Sequence, residues 1–385
     1  MELRFSRRTD VGSTENALTA ALARARARGP VLDLTESNPT RAGIAYDEAR
    51  ITAALASPRS LVYDPCTFGL PIAREAVSAH YAAQRLDVPA ARVALTASTS
   101  EAYAVLFKVL CDPGDRVLVP APSYPLLEHL AAFEAVTLVP YPLVYDGRWH
   151  VDLPALRARA EGARAIVVVS PNNPTGSYLA KDELDAMLDL GLPILADEVF
   201  ALYPFRDDSR RAGSVLGAER GLVFALSGLS KACGLPQLKL GWAAAGGDPG
   251  AVERALARME VVCDAMLSVG APVQNAAPEL FAAGAITRAS IAARTRDNRD
   301  RLARALGGTA ATLLDAEGGW YGVVRLPAVK SEEAWVAELL DAHAVYTHPG
   351  HFFDFADEPY VVVSLLTEPT VFAEGVAALA RAAAL

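Results

Sequence analysis

The chain has 385 residues, 52% of them apolar and 21% charged, which is too long for one ordinary core and points to two domains. Its formal charge of -9, with both signs mixed along the chain, argues against nucleic acid or an anionic membrane as partner. Low-complexity tracts and long charge blocks are missing, which excludes a disordered or fibrous protein.

In chain order, the N-terminal MELRFSRRTD lacks the apolar core of a signal peptide, and no run of about 20 apolar residues is long and clean enough for a membrane span. Cys66, Cys111, Cys233 and Cys263 lie far apart without a CxxC pair. Neither a disulfide framework nor a zinc site is expected, and a reducing cytoplasm fits. RVALTAS (92–98) reads as a strand leading into the helix EAYAVLFKVL (101–110). DRVLVP, VTLVPYPL, AIVVVS, LPILADEVF, GLVFALSG and KLGWAAAG follow, short apolar runs that suit strands buried on both faces. Helical segments such as AKDELDAMLDLG separate many of them, which predicts an α/β domain with a mostly parallel sheet between helices.

Residues 250–310 are Arg- and Ala-rich and helical. WYGVVRLP and YVVVSLL then read as strands, with helices over 331–343 and 370–384, giving a smaller α+β domain. The expected division is an N-terminal segment 1–40 packing on the small domain or a partner subunit, a large domain 41–275 and a small domain 276–385.

Four segments carry chemistry. In SGLSKACGLPQLKLGW (227–242), Lys231 sits among small and apolar residues. Desolvation there would favour the neutral amine, the form that attacks a carbonyl; taken alone, it could be a surface lysine. SPNNPTG (170–176) follows the strand AIVVV and makes a turn presenting side-chain amides at the sheet's carboxyl edge, where α/β proteins bind ligands. LADEVF (195–200) ends a buried strand in two carboxylates, which calls for a cation or a helix cap. LTASTSEAY (95–103) passes from strand through a hydroxyl-rich turn into a helix. Ser98, Thr99 and Ser100 there could meet a phosphate at the helix N-terminus or merely cap it.

In order and spacing these motifs resemble the fold-type I pyridoxal-phosphate enzymes, and among them the class I/II aminotransferases of the aspartate aminotransferase superfamily, over about Leu32 to Leu366. The resemblance implies pyridoxal 5'-phosphate as cofactor, held by Lys231 as a Schiff base, with Lys231 then shuttling a proton on the substrate adduct. It implies that Asp197 pairs with the ring nitrogen, Asn173 bonds the ring's 3' oxygen and Tyr124 stacks on the ring face. Ser98, Thr99 and Ser100, helped by Ser230 and Lys239, would hold the phosphate. Tyr63 would reach the phosphate across a homodimer interface, and Asn38 and Arg41 would lie on the substrate side. The activity implied is ping-pong transfer of an amino group from an amine or amino acid to an oxo acid. Decarboxylase, β-lyase or racemase chemistry on the same fold, or a non-catalytic cofactor-binding regulator, are the alternatives.

The sequence departs from that pattern at three places. Phe200 stands where a tyrosine usually donates to the 3' oxygen, leaving Tyr203 as a possible substitute. Lys239 stands where an arginine usually meets the phosphate, keeping the charge without the bidentate fork. Val362 stands where an arginine usually clamps the substrate α-carboxylate, and no arginine lies between Arg325 and Arg381. Either Arg41, His348 or His351 replaces it, or the substrate lacks that carboxylate. In THPGHFFDF (347–355), His348 and His351 read as part of a loop near the site rather than as metal ligands.

Overall fold

The computed structural model describes residues 3, 5–9, 17–267, 269–357 and 359–384. The helix Ala17–Arg28 leads into a short strand, β1 (Leu32–Asp33). Eight further strands build the large sheet: β2 (Val93–Thr96), β3 (Arg116–Ala121), β4 (Thr137–Tyr145), β5 (Trp149–Val151), β6 (Ala163–Val169), β7 (Ile194–Asp197), β8 (Leu222–Gly228) and β9 (Gly241–Gly247). Their spatial order is β2-β9-β8-β7-β6-β3-β4-β5. The pairs from β4 through β3, β6 and β7 to β8 are parallel. The outer pairings of β9 with β8 and β2, and of β4 with β5, are antiparallel.

The central strands are apolar on both faces because each face meets helices. Val117, Val119, Ala165, Val167, Leu195 and Phe224 pack into one core with the helix Thr99–Leu110 and the helix Pro249–Met266. Leu118, Ile166, Val168, Ile194, Ala196 and Ala225 pack into another on the opposite side. The crossing from β3 to β6 lets the carboxyl ends of β6, β7 and β8 open toward one edge, the usual place for a ligand in an open parallel sheet.

A second sheet, ordered β10-β11-β14-β13, is wholly antiparallel and contains β10 (Thr312–Leu313), β11 (Tyr321–Arg325), β13 (His348–Pro349) and β14 (Tyr360–Ser364). Between these in sequence, β12 (Val345–Tyr346) pairs in parallel with β1, which ties the N-terminal segment to this smaller unit. The helices Glu332–His343 and Pro369–Ala382 cover one face of the small sheet, where Val324, Val361, Val363, Trp335 and Phe372 form its core.

The helical stretch after residue 250 is two helices. Pro249–Met266 ends at Leu267, whose φ of 65° is left-handed, and Ala271–Leu306 runs for 36 residues. The second passes unbroken through position 275 and reaches both sheets. Among the described residues, no helix is long and apolar enough to cross a membrane.

Candidate active site

A cavity lies at the carboxyl ends of β6, β7 and β8. Its lining includes Thr99, Ser100, Tyr124, Asn173, Asp197, Ser230 and Lys231, so seven of the residues singled out from sequence converge on one space.

Each is delivered by a local feature. Lys231 and Ser230 stand on the short helix Leu229–Ala232, started by β8 ending at Gly228. A Cβ at Gly228 would lie 3.0 Å from the Leu240 carbonyl oxygen, so glycine spares β8 a tight contact where it turns beside the chain entering β9. The Lys231 backbone carbonyl accepts the Tyr203 hydroxyl at 2.5 Å. Its amine sits 4.9 Å from the centroid of Trp320 and 5.6 Å from that of Phe200. Burial among these rings pushes the amine down to about 8, with Asp197 opposing the shift.

Asp197 ends β7. Its carboxylate accepts the Val199 amide at 3.2 Å and the Tyr103 hydroxyl at 3.4 Å. Burial nonetheless raises it to about 6 against those hydrogen bonds and Lys231, so the carboxylate is short of positive charge.

The turn after β6 is held by Asn172, not by Asn173. Asn172 donates to the Pro122 carbonyl and to Thr175 Oγ1, and accepts from Ser123 Oγ at 3.0 Å. That lattice fixes the Tyr124 loop beside the Asn173 turn and leaves Asn173 free to face the cavity. Asn173 Oδ1 is buried with no hydrogen-bond partner among the described residues. The helix Thr99–Leu110 begins at the cavity floor. Ser98 spends its hydroxyl capping Glu101, while Thr99 and Ser100 remain on the cavity wall. A Cβ at Gly241 would lie 2.9 Å from the Ser98 carbonyl carbon, so β9 approaches this helix start as closely as backbone allows.

These observations suit a planar, protonated heterocycle carrying a phosphate. A carboxylate inside the cavity lacks a cation, and a 12-residue helix offers N–H groups and hydroxyls to an anion. A desolvated lysine stands between them.

Other expected residues lie elsewhere. Ser98 is a cap and not part of the lining. Lys239, in a left-handed conformation with φ of 52°, is exposed and outside the lining. Tyr63 is 80% exposed. Asn38 turns its oxygen onto Thr40, and Ser37 lines the cavity in its place. Arg41 is exposed. His351 pairs with buried Glu332 at 2.8 Å, and His348 has a buried Nδ1 and an imidazole held low by burial; neither lines the cavity. Tyr203 is committed to Lys231 and cannot replace a donor at Phe200, which does line the wall.

The cavity also takes Tyr103, Tyr321, Val169, Val199 and the leucines of the helix Leu126–Phe133. Tyr103 lay in a helix whose apolar spacing reads as core, and only its hydroxyl's contact with Asp197 reveals its place. Among the described residues no group of three or more His, Cys, Asp or Glu could hold a metal.

A parallel sheet edge with a desolvated lysine, a buried carboxylate and a phosphate-ready helix start defines the fold-type I pyridoxal-phosphate architecture. Residues 30–371 match the family described as aminotransferase class I and II, and the chain belongs to that family, whose cofactor is pyridoxal phosphate. It is 32% identical over 230 residues to nicotianamine aminotransferase B of Hordeum vulgare, covering 56% of this chain and 41% of that protein. It is 28% identical over 253 residues to glutamate-pyruvate aminotransferase AlaA of Escherichia coli (strain K12), covering 64% and 62%. These alignments span about half the length of the curated relatives. An alanine aminotransferase from Pyrococcus furiosus superposes with a TM-score of 0.86 at 22% identity, over 98% of this chain and 99% of that one. The N-succinyldiaminopimelate aminotransferase of Mycobacterium tuberculosis does so with a TM-score of 0.81 at 25% identity, over 99% and 100%.

Proposed function

We propose that the protein is a pyridoxal-phosphate-dependent aminotransferase that moves an amino group from an amine or amino acid to an oxo acceptor by a ping-pong route. The observation that carries this is the convergence of Lys231, Asp197 and Asn173 on one cavity beside the Thr99–Ser100 helix start. The bound cofactor supplies an aldehyde that takes up the amine and a ring that withdraws electrons from it.

The chain's own groups divide the work. Lys231 Nζ, its proton affinity lowered to about 8 by burial, would hold the cofactor's aldehyde group and is the base lining the cavity that could carry a proton between two neighbouring carbons. Asp197 would meet the ring nitrogen and keep it protonated, and Tyr103 orients that carboxylate. The Asn173 amide nitrogen would donate to the ring oxygen, Tyr124 and Val199 would bound the ring, and Thr99, Ser100 and Ser230, which line the same cavity, would hold the phosphate. Ser98 acts on the phosphate through the helix cap.

A homodimer completes this reading. Leu61, Val62 and Tyr63 form an exposed run, 89%, 65% and 80% accessible, of the kind a second copy would cover. Tyr63 and Lys239 would then approach the phosphate from the dimer contact and the cavity rim. Four unpaired cysteines support a cytoplasmic setting.

Holoenzyme given an amino donor and an oxo acceptor should show parallel double-reciprocal lines. Lys231→Ala should lose both the bound-cofactor absorbance and turnover; full activity in that variant would overturn the proposal. Turnover without an oxo acceptor would instead favour decarboxylase or lyase chemistry.

A further inference from the structure

The lysine stands on a helix too short to hold itself. Leu229–Ala232 is a single turn, and the last carbonyls of a helix find no partner inside it. Here three carbonyls at and after the lysine are met by side chains from three other segments. That of Lys231 accepts the Tyr203 hydroxyl at 2.5 Å, that of Ala232 accepts Arg288 Nη1 at 3.1 Å, and that of Gly234 accepts the Tyr46 hydroxyl at 2.6 Å. Burial pushes the Tyr46 hydroxyl up to about 12, so it stays a donor through the neutral range.

Arg288 reaches this turn from the helix Ala271–Leu306, along a face shaped to receive it. Gly284, Thr287, Arg288 and Ile291 lie at spacings of three and four residues and so share that face. A Cβ at Gly284 would lie 2.5 Å from Cys233 Cβ. One at Gly234, whose φ is 66°, would lie 2.7 Å from Thr287 Cγ2 and 3.0 Å from Ile291 Cδ1. Both chains are therefore bare where they meet. Buried Thr287 donates to the Ala45 carbonyl at 3.2 Å, which sets Tyr46 beside the same turn. The Lys231 side chain, by contrast, rests over the Trp320 and Phe200 rings, whose faces direct it weakly, so the place of its amine follows its main chain.

We propose that Arg288, together with Tyr46, is a positioning residue for Lys231: by fixing the turn after the lysine, the two hold its amine where the cofactor's aldehyde carbon must come. The proposal rests on the cofactor and transamination reading of the cavity. Capture of the cofactor forms a bond from Lys231 Nζ to the aldehyde carbon and releases the aldehyde oxygen as water. A reacting atom misplaced by about 1 Å loses rate on the order of a hundredfold.

The test is Arg288→Met, which keeps a long side chain and removes its donors. Apoprotein is given saturating pyridoxal phosphate and its capture is followed by the cofactor's absorbance, which needs no turnover. The reconstituted holoenzyme is then assayed for kcat and KM with an amino donor and an oxo acceptor. Arg74→Met is the control, because Arg74 Nε likewise donates to main-chain carbonyls, those of Ala90 and Val93, each at 3.0 Å, at the start of β2. Capture and kcat should fall at least about tenfold in Arg288→Met with KM within about twofold. Arg74→Met should lower the melting temperature and leave capture and kcat within about twofold of wild type. Tyr46→Phe should slow both in the same direction, and it decides alone should Arg288→Met not fold. Unchanged capture and kcat in the deciding variant, or an equal loss in Arg74→Met, overturns the proposal and leaves transamination standing. If wild type turns over no donor while Arg288→Met still slows capture, transamination falls and the positioning role stands.

Discussion

The Tyr203 hydroxyl donates to the main-chain carbonyl of Lys231 at 2.5 Å, from a ring that is itself buried against Trp320. The residue that bears the reactive amine is therefore positioned through its backbone. Tyr203→Phe keeps the ring and leaves a buried carbonyl short of a donor, costing about 1–3 kcal/mol of stability. A displaced Lys231 should lower kcat with little change in KM. Denaturant titration and steady-state kinetics check both; a variant with unchanged kcat would show that the bond serves folding alone.

Lys231, at about 8, should react as a free amine near neutral pH in apoprotein. Reductive methylation with formaldehyde, read by mass spectrometry, should rise with pH at Lys231 and level off above about 8. A rate at Lys231 still rising near the ordinary lysine value of about 10.4 would mean the amine is not desolvated.

Asp197 titrates near 6 when folded and near the ordinary carboxylate value when unfolded. Between these limits the native state binds more protons, so its contribution is present in acid and is lost as pH rises from about 4 through 6. Asp197→Asn removes that dependence and should stabilise apoprotein at pH 7 by on the order of 2 kcal/mol. Cofactor affinity should fall in the same variant. Parallel stability–pH curves for the two apoproteins would refute the assignment of the shift to this group.

Phe200 is an aromatic wall without a donor, edge-on to Trp320 and Tyr321. Phe200→Tyr adds a hydroxyl where a donor would stabilise a deprotonated cofactor. The pH midpoint of the bound cofactor's absorbance should move down, and an unmoved midpoint would show that the hydroxyl does not reach the ring oxygen.

Gly241→Ala places a methyl 2.9 Å from the Ser98 carbonyl carbon and 3.1 Å from the Thr99 amide. Pushing the helix start away should cost about 1–3 kcal/mol of stability and weaken phosphate binding. Equilibrium dialysis of cofactor against the variant tests this directly.

Asn173, Asp197 and Lys231 were readable because each sits where a buried strand stops, and apolar runs bounded by Asn-Pro, Asp-Glu or Gly-Leu-Ser mark those stops. Backbone period places such residues at the sheet's edge without any tertiary information. Tyr103 and Tyr321 were not readable. Each lies inside a regular element where an aromatic residue ordinarily packs, and only the neighbouring element decides which way its hydroxyl faces. Ser37 was missed for a related reason. Asn38 has the richer side chain, but the turn onto Thr40 consumes it. Strand direction was also hidden: β9 has the same apolar texture as its parallel neighbours and runs the other way.

The helix Ala271–Leu306, about 54 Å long at 1.5 Å per residue, bears on more than connection. Val273, Ala276 and Leu280 sit in the core beneath β2 and β9, Ile291 packs with Trp320 and Phe200, and Leu302 and Leu306 sit beneath the small sheet. One rod thus supplies side chains to three apolar clusters. Unpacking the small sheet, or the β2 and β9 side of the large one, would strip a face of the same helix, so these parts should unfold in one transition, which a break near Ile291 would divide into two.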